Sequence, residues 1–283
     1  MVNLEIQVRT AQSRDQQQIA NLLYYEPYIH RHLDWRTPLD WLGGPDFWVA
    51  EYGRLVTASL ACPIDPAKIA WIRLFACSSE LTLSDSWASL WGTARDTLLA
   101  QDGILAAAIT SQDWFVPLLR SSGFSVAQHI VILEFTDKPL KALKTSPDLH
   151  IRQMTASDLP HVAEVDAEAF VPLWQNSLEA LQRALSQAGW ATIAESSNGI
   201  VGYQISTHNP FGGHLARLAV RPDSQGQGIG RALVHDLLEE SSRRGLRKFT
   251  VNTQDDNSAS LALYKSIGFK PTSEKYPVYV LQM

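Results

Sequence analysis

Hydrophobic residues recur along the chain in two spacings, one typical of strands and one typical of helices. Residues 214–220, HLARLAV, form an apolar run of strand length that ends before Pro222, which cannot donate to a ladder. From Ile229 onward the apolar positions recur every four residues, which predicts an amphipathic helix. Residues 248–253, KFTVNT, then alternate as a strand. The pattern therefore predicts a strand, a turn, a helix and a second strand in succession.

This order of patterns occurs twice in the chain. Four segments match in the same order: VRTAQSRDQQQIANL from Val8 with IRQMTASDLPHVAEV from Ile151, 49–56 with 193–201, 72–77 with 216–221, and 115–124 with 260–269. The spacings are 143, 144 or 145, 144 and 145 residues. Such self-similarity indicates a structural repeat. We expect two copies of one domain, at residues 1–140 and 148–283, joined within TDKPLKALKTSPDLH at 136–150.

Each copy is expected to contain a strand, a helix, hairpin strands, a long strand, a helix, a strand, a helix and terminal strands. The order predicts an α/β (α+β) fold. In it, each domain has a mixed, largely antiparallel sheet flanked by helices.

Composition agrees with two globular domains. The 283 residues are 45% hydrophobic and 19% charged, enough for a core in each half. The net charge of −5 argues against a nucleic-acid surface. No run of 18 apolar residues and no apolar signal core occurs, so we expect a cytoplasmic protein with no membrane partner.

Metal and disulfide chemistry is not indicated. Cys62 and Cys77 form no CxxC pair, which makes a disulfide framework or a thiolate zinc site unexpected. His30 and His32 have too few neighbouring ligand types to predict a metal site.

The turn between the predicted strand and helix of the second copy is rich in glycine. Gly226, Gly228 and Gly230 lie where backbone N–H groups and the helix dipole favour an anion, although a flexible corner is the alternative. A Walker loop would end in Gly-Lys-Ser/Thr, whereas this turn has Gly-Arg-Ala. A dinucleotide fingerprint would need glycine where Arg231 stands. The pattern Q/R-x-x-G-x-G/A is matched in full from Gln225.

That six-residue pattern resembles the motif of the GNAT superfamily of acyl-coenzyme A-dependent N-acyltransferases. A second stretch, NSASLALYKSIGF at 257–269, resembles the other GNAT signature. Asn257, Leu263, Tyr264, Gly268 and Phe269 fall on its positions, and Ser260 stands where the family often has alanine. The resemblance to the family covers residues 150–283 well. Residues 1–135 resemble the family only through their similarity to the second half of the chain. The tandem layout is similar to that of mycothiol synthase.

The resemblance implies acetyl-coenzyme A as cosubstrate, no metal, and direct attack of an amine on the thioester. In the family, the pantetheine arm enters where the two central strands diverge, and backbone N–H groups near residues 218–220 polarise the thioester carbonyl. Tyr264 would protonate the leaving thiolate, although a packing role is its alternative. The implied cofactor-binding residues are Leu218, Ala219, Val220, Gln225, Gly226, Gln227, Gly228, Ile229, Gly230, Arg231, Asn257 and Tyr264.

The base that would deprotonate the amine stays open. Neither central strand contains a carboxylate, and Asn252 stands where some relatives have glutamate. The candidates are His214, water, or a carboxylate of the segment EVDAEAF, which supplies Glu164, Asp166 and Glu168. The segment 164–181, with Phe170 and Trp174, corresponds to the substrate-lining helices of the family.

The first copy departs from the motif. Opposite the glycine turn it has LTLSDS at 81–86, with Leu119 opposite Tyr264 and Gln112 opposite Asn257. We expect it not to catalyse acetyl transfer. Its seven tryptophans are expected either to pack or to line a substrate groove: Trp35, Trp41, Trp48, Trp71, Trp87, Trp91 and Trp114.

These observations predict an N-acetyltransferase whose C-terminal domain acts on a small-molecule or peptide amine. The alternatives are a non-catalytic acyl-coenzyme A sensor or scaffold and a peptide-binding module. The identity of the acceptor and the oligomeric state stay open.

Overall fold

The computed structural model describes residues 6–136 and 148–283, so the expected join falls mostly outside the described residues. In chain order the elements are β1 Gln7–Thr10, α1 Gln16–Tyr25, β2 Tyr28–Arg31, β3 Phe47–Tyr52, β4 Leu55–Ala61, β5 Ile69–Trp71, β6 Leu74–Cys77, α2 Leu83–Leu99, β7 Leu105–Ile109, α3 Val116–Ser121, β8 Ser125–Thr136, β9 His150–Gln153, α4 Leu159–Ala169, α5 Leu178–Ser186, β10 Trp190–Ser196, β11 Gly199–Asn209, β12 Gly212–Val220, α6 Ile229–Arg243, β13 Lys248–Gln254, α7 Ser258–Ile267 and β14 Lys270–Gln282.

The described residues divide into two compact units. The first contains the chain up to Ala127 together with Pro277–Met283, and the second lies within Gln128–Tyr276. These units differ from the division at 1–140 and 148–283 in two strands. Most of β8 belongs to the second unit, and the last part of β14 belongs to the first.

The first unit has a sheet of order β1-β3-β4-β6-β2, in which all neighbours are antiparallel. Beside it, β5 pairs parallel with β7, and β7 pairs antiparallel with the end of β14. Ile19 of α1 shares a buried cluster with Val49, whereas Leu90 of α2 shares another with Ala50. Because successive strand residues face opposite sides, the two helices cover opposite faces.

The second unit has the strand order β9-β10-β11-β12-β13-β8, with the first part of β14 next to β8. From β9 to β8 the neighbours are antiparallel except β12 and β13, which run parallel. The prediction of a mixed, largely antiparallel sheet flanked by helices is therefore confirmed.

The parallel ladder of the second unit is short. It joins three residue pairs, from Gly213 with Phe249 to Leu215 with Val251, although both strands continue beyond it. A bulge at Ala216 in the pairing with β11 coincides with the end of this ladder. Bulges bend a strand, so β12 and β13 diverge here.

A partly buried charge network recurs in both units. Arg9 donates to Asp15 and Glu51 in the first unit, with an Arg9–Asp15 contact of 2.7 Å. Arg152 donates to Asp158 and Glu195 in the second unit, at 2.8 Å to each. The spacings are 143 or 144 residues, those of the sequence repeat, which confirms two copies of one fold.

Candidate functional site

The turn before α6 has left-handed backbone at two glycines. Gly226 has φ 75° and Gly228 has φ 83°, conformations that disfavour residues with a Cβ. Helix α6 begins at Ile229, and the N–H of Ala232 makes the first intrahelical bond, to the Gly228 carbonyl at 3.0 Å. The preceding N–H groups have no acceptor inside the helix. No heavy atom lies within 4 Å of a Cβ built on Gly226 or Gly228, so the turn is open to a ligand.

The other residues of the motif have supporting roles in the turn. Gln225 donates through Nε2 to the Val220 carbonyl at 3.1 Å, and Gln227 donates to the Asp223 carbonyl at 3.3 Å. A Cβ on Gly230 would lie 3.3 Å from the Leu263 side chain, which indicates close helix packing. Ile229 is buried beneath the turn, and Arg231 is half-buried in the first turn of α6.

Leu218, Ala219 and Val220 lie beyond the end of the β12–β13 ladder. On one side they pair with β11. The ladder with β13 stops before them, so in the described residues their other edge faces the divergence. An extended ligand can add to such an edge by backbone hydrogen bonds.

Tyr264 lies in the core formed around α6 and α7. It is 4% exposed, and its ring centroid lies 5.6 Å from that of Phe269. Burial raises the pKa of Tyr264 above its ordinary value, so the phenol is neutral at pH 7. A neutral phenol can donate a proton, and the same burial satisfies the packing role.

Asn257 caps helix α7. Its Oδ1 accepts from the N–H of Ser260 at 3.1 Å, and its Nδ2 donates to Gln254 at 3.3 Å. The structure therefore gives this motif residue a structural role of its own.

Asp166 is held by cationic and phenolic partners. It is fully buried, accepts from Tyr203 Oη, and lies 2.6 Å from Arg217 Nη2. Its Oδ1 also accepts from the N–H of Asn176 at 2.8 Å. Arg217 in turn lies 3.6 Å above the centroid of the Phe170 ring. This network holds the segment after α4, which includes Trp174, whose carbonyl accepts from Arg217 at 2.7 Å.

Glu164 and Glu168 lie on α4 and pair with Arg221, which follows β12. Arg221 contacts Glu168 Oε1 and lies 3.5 Å from Glu164 Oε2. All three carboxylates of this segment are therefore engaged by arginines.

His214 lies in the middle pair of the β12–β13 ladder. Its Nδ1 lies 2.9 Å from Thr250 Oγ1, and Asn252 also hydrogen-bonds the side chain. Burial lowers the pKa of His214 below its ordinary value, so the imidazole is neutral at pH 7. It lines an open groove of about 180 Å³ at the start of β12.

The first unit has a different turn at the equivalent place. Thr82, the residue before α2, has φ −65°, and no described residue of 78–86 has positive φ. Leu119 is fully buried, and Gln112 donates its N–H to Thr110 Oγ1 at 3.0 Å. Four of the tryptophans are buried, which favours the packing role for them: Trp48, Trp71, Trp87 and Trp91.

Sequence reasoning missed Arg217 and Arg221. A single arginine within the apolar run HLARLAV indicates a buried ion pair, because an unpaired buried guanidinium is costly. It also missed Phe211, which is 88% exposed at the tip of the β11–β12 hairpin.

Two kinds of feature are not found within the described ranges. No helix there is long and apolar enough to cross a membrane. No group of three or more His, Cys, Asp and Glu side chains is arranged there to hold a metal ion.

Comparison with known proteins gives matches to the second half and to the whole fold. The model of the acetyltransferase (GNAT) family matches residues 159–269. N-alpha-acetyltransferase RimI of Mycobacterium tuberculosis is 34% identical over 125 residues, which cover 42% of this chain and 77% of that protein. The ribosomal protein bS18-alanine N-acetyltransferase of Escherichia coli is 38% identical over 65 residues, 23% of this chain. The chain spans only 44% of that relative's length.

A solved tandem GNAT protein from the clavulanic acid biosynthesis pathway shares the fold of the whole chain. Its TM-score is 0.63 at 16% identity, and the match covers 98% of each chain.

Proposed function

Since the chain belongs to the acetyltransferase (GNAT) family, we propose that its second unit transfers the acetyl group of acetyl-coenzyme A to a primary amine. The observation that carries the proposal is the place of the glycine turn. It lies at the end of β12, the strand that diverges from β13. An anion cradle and an unpaired strand edge are thereby placed next to each other.

The residues present fit the cosubstrate. Side chains at Gly226 and Gly228 would fill the space that a diphosphate needs to reach the N–H groups of the turn. The free edge of β12 at Leu218, Ala219 and Val220 suits the amide groups of the pantetheine arm. When bound, acetyl-coenzyme A supplies an activated thioester.

The reaction needs one proton removed and one returned. The amine nitrogen forms a bond to the acetyl carbon, and the carbon–sulfur bond then breaks to release the thiolate. Tyr264, a neutral phenol, gives its proton to that sulfur and recovers one from solvent. Backbone N–H groups of β12 stabilise the oxyanion between the two steps. The products are an acetamide and the free thiol.

We propose His214 as the group that takes the proton from the amine. It is neutral at pH 7 and has Nδ1 held by Thr250. Glu164, Asp166 and Glu168 are each engaged in an ion pair with an arginine.

The experiment is a calorimetric titration with acetyl-coenzyme A, followed by an amine panel with mass detection of acetylated products. Peptide α-amines come first in the panel, because the names of the two relatives describe acetylation of α-amines. Transfer to at least one amine supports the proposal. Binding without transfer to any amine favours the rival function, a non-catalytic acyl-coenzyme A sensor, and absence of binding contradicts both.

We also propose that the first unit does not catalyse the reaction. Its turn lacks left-handed residues, and Leu119 offers no proton. Acetyl transfer by a chain carrying Tyr264→Phe and Gly228→Val, at the rate of the wild type, would contradict this division.

A further inference from the structure

The groove at the start of β12 lies beside the proposed base. Its floor includes Thr207, His214 and Thr250, which pair with one another across β11, β12 and β13. Residues paired in this way point to the same face of a sheet. The groove extends along β12 as far as His214, which is one residue before the last pair of the β12–β13 ladder; the strands diverge beyond that pair.

The groove is small. Its volume of about 180 Å³ corresponds to roughly six water molecules in the liquid. Gly212 and Gly213 line it, and a Cβ on Gly213 would lie 2.0 Å from the Phe249 ring, so this position accepts no side chain. This space holds an amino group and one neighbouring group, whereas a drug-sized ligand needs about 300 Å³ or more.

The charges of the groove suit an acceptor with a single amine. Among the described residues that line it, there is no Asp or Glu. Its lysine, Lys248, lies 2.7 Å from Glu134 Oε2, so the two charges offset each other. A second ammonium group on the acceptor would therefore find no unpaired carboxylate in this lining.

The rim of the groove is apolar at one position. Phe211 is 88% exposed, and its N–H donates to Asn209 Oδ1 at 2.8 Å, which fixes the hairpin tip. When a ligand covers an exposed aromatic ring beside a binding groove, the burial of apolar surface makes the free energy of binding more favourable.

We propose that this groove is the acceptor site and that Phe211 selects acceptors that carry an apolar group close to a single primary amine. The proposal rests on the acetyl transfer proposed above and adds the class of acceptor. Both the size of the groove and its lack of free carboxylates support that class.

The test compares kcat/KM for three amines: phenethylamine, ethylamine and 1,4-diaminobutane. The wild-type protein should prefer phenethylamine to the other two. Phe211→Ala should reduce the preference for phenethylamine over ethylamine by about tenfold, a usual effect of one apolar contact, and Phe211→Leu should keep most of it. Phe211→Glu should raise the relative rate with the diamine.

The matched control is Leu55→Ala, which removes another exposed apolar side chain, one that does not line the groove. It should leave the ratio unchanged, and calorimetry with acetyl-coenzyme A should show unchanged affinity in every variant. An equal ratio in Phe211→Ala and wild type, or a wild-type preference for the diamine, would overturn the acceptor assignment. No transfer to any amine would instead overturn the proposed function.

Discussion

The two units share a three-pair parallel ladder, and they differ in the segment and the turn that follow it. In both, the segment pairs with the preceding hairpin strand. In the first unit its other edge is paired with β2, whereas in the second unit the described strands leave the other edge of Leu218–Val220 unpaired. In the second unit, Gly226 and Gly228 then adopt left-handed backbone. In the first, Thr82 leads into α2 with ordinary backbone. Because the first unit forms this fold without glycines at the turn, the fold does not require them. We infer that the glycines of the second unit serve to bind a ligand.

The side chains that pack beside this turn also differ between the two units. In the first unit, Phe75, Trp87 and Phe115 lie with ring centroids 5.1–5.8 Å apart and fill the space beside α2. Trp87 also donates to Ser122 Oγ at 2.8 Å. The second unit has Ala219 and Arg231 at the positions that match Phe75 and Trp87. Where the second unit has the proposed ligand site, the first unit has aromatic packing.

The largest expected effect is on stability, and it concerns the end of β14, which comes from the second half of the sequence but belongs to the first unit. Tyr279 of β14 is 2% exposed and lies in the core cluster of the first unit. Tyr279→Ala should lower the free energy of unfolding by about 3–5 kcal/mol, typical of a deleted core aromatic. Denaturant unfolding measures this change.

Hydrogen exchange would locate the effect of Tyr279→Ala. Because β14 pairs with β7 through Leu105–Ile109, exchange should accelerate in β7. Tyr276→Ala, on the same strand but outside the first unit, is the control and should change stability little. If Tyr276→Ala and Tyr279→Ala destabilised the protein equally, the assignment of the strand ends would be wrong.

The next effect is on cofactor binding. Gly228→Val should weaken acetyl-coenzyme A binding by about 500-fold. Left-handed backbone costs about 1–2 kcal/mol for a residue with a Cβ. A lost hydrogen bond to a charged group costs about 1.5–3 kcal/mol more. Ser84→Val at the equivalent position of the first unit is the matched control and should bind normally by calorimetry.

A third effect separates chemistry from binding. Tyr264→Phe should lower kcat by about 100-fold, the low end for loss of a general acid, with little change in cofactor affinity. The matched variant Leu119→Met replaces the equivalent side chain of the first unit and should keep kcat. If Tyr264→Phe retained the wild-type kcat, Tyr264 would not be the proton donor and its role would be packing only.

The smallest effect concerns His214 and pH. Because burial lowers its pKa, His214 is charged only at pH values below its ordinary value of about 6.5. kcat/KM should therefore fall as the pH drops through this lowered pKa. His214→Gln should reduce kcat/KM by about tenfold at pH 7 and remove that acidic limb, whereas His161→Gln on α4 should preserve it. A pH profile identical in His214→Gln and wild type would assign deprotonation to water.

Much of the fold could be predicted from the sequence because both copies carry the same periodicities. The Arg9–Asp15 and Arg152–Asp158 ion pairs lie within the matched segments that begin at Val8 and Ile151. The exchange of the last strands was not predictable in this way. The strand around Leu133 has the same alternating pattern whichever sheet it joins, because pattern fixes which face is buried and not which neighbour pairs.

The site was predicted less completely than the fold. The two motifs predicted that the glycine turn and Tyr264 belong to one site. In the structure they lie on α6 and α7, which pack against each other through Gly230 and Leu263. Asp166 was a candidate base in the sequence, whereas in the structure it is fully buried and paired with Arg217. The ion pair joins residues 51 positions apart, a distance at which local sequence pattern carries no pairing information.

The stoichiometry of acetyl-coenzyme A binding tests the division between the two units most directly. Calorimetry on the full chain should give one equivalent per chain, lost in Gly228→Val and kept in Ser84→Val. Two equivalents, or one equivalent that survives Gly228→Val and is lost in Ser84→Val, would contradict the account.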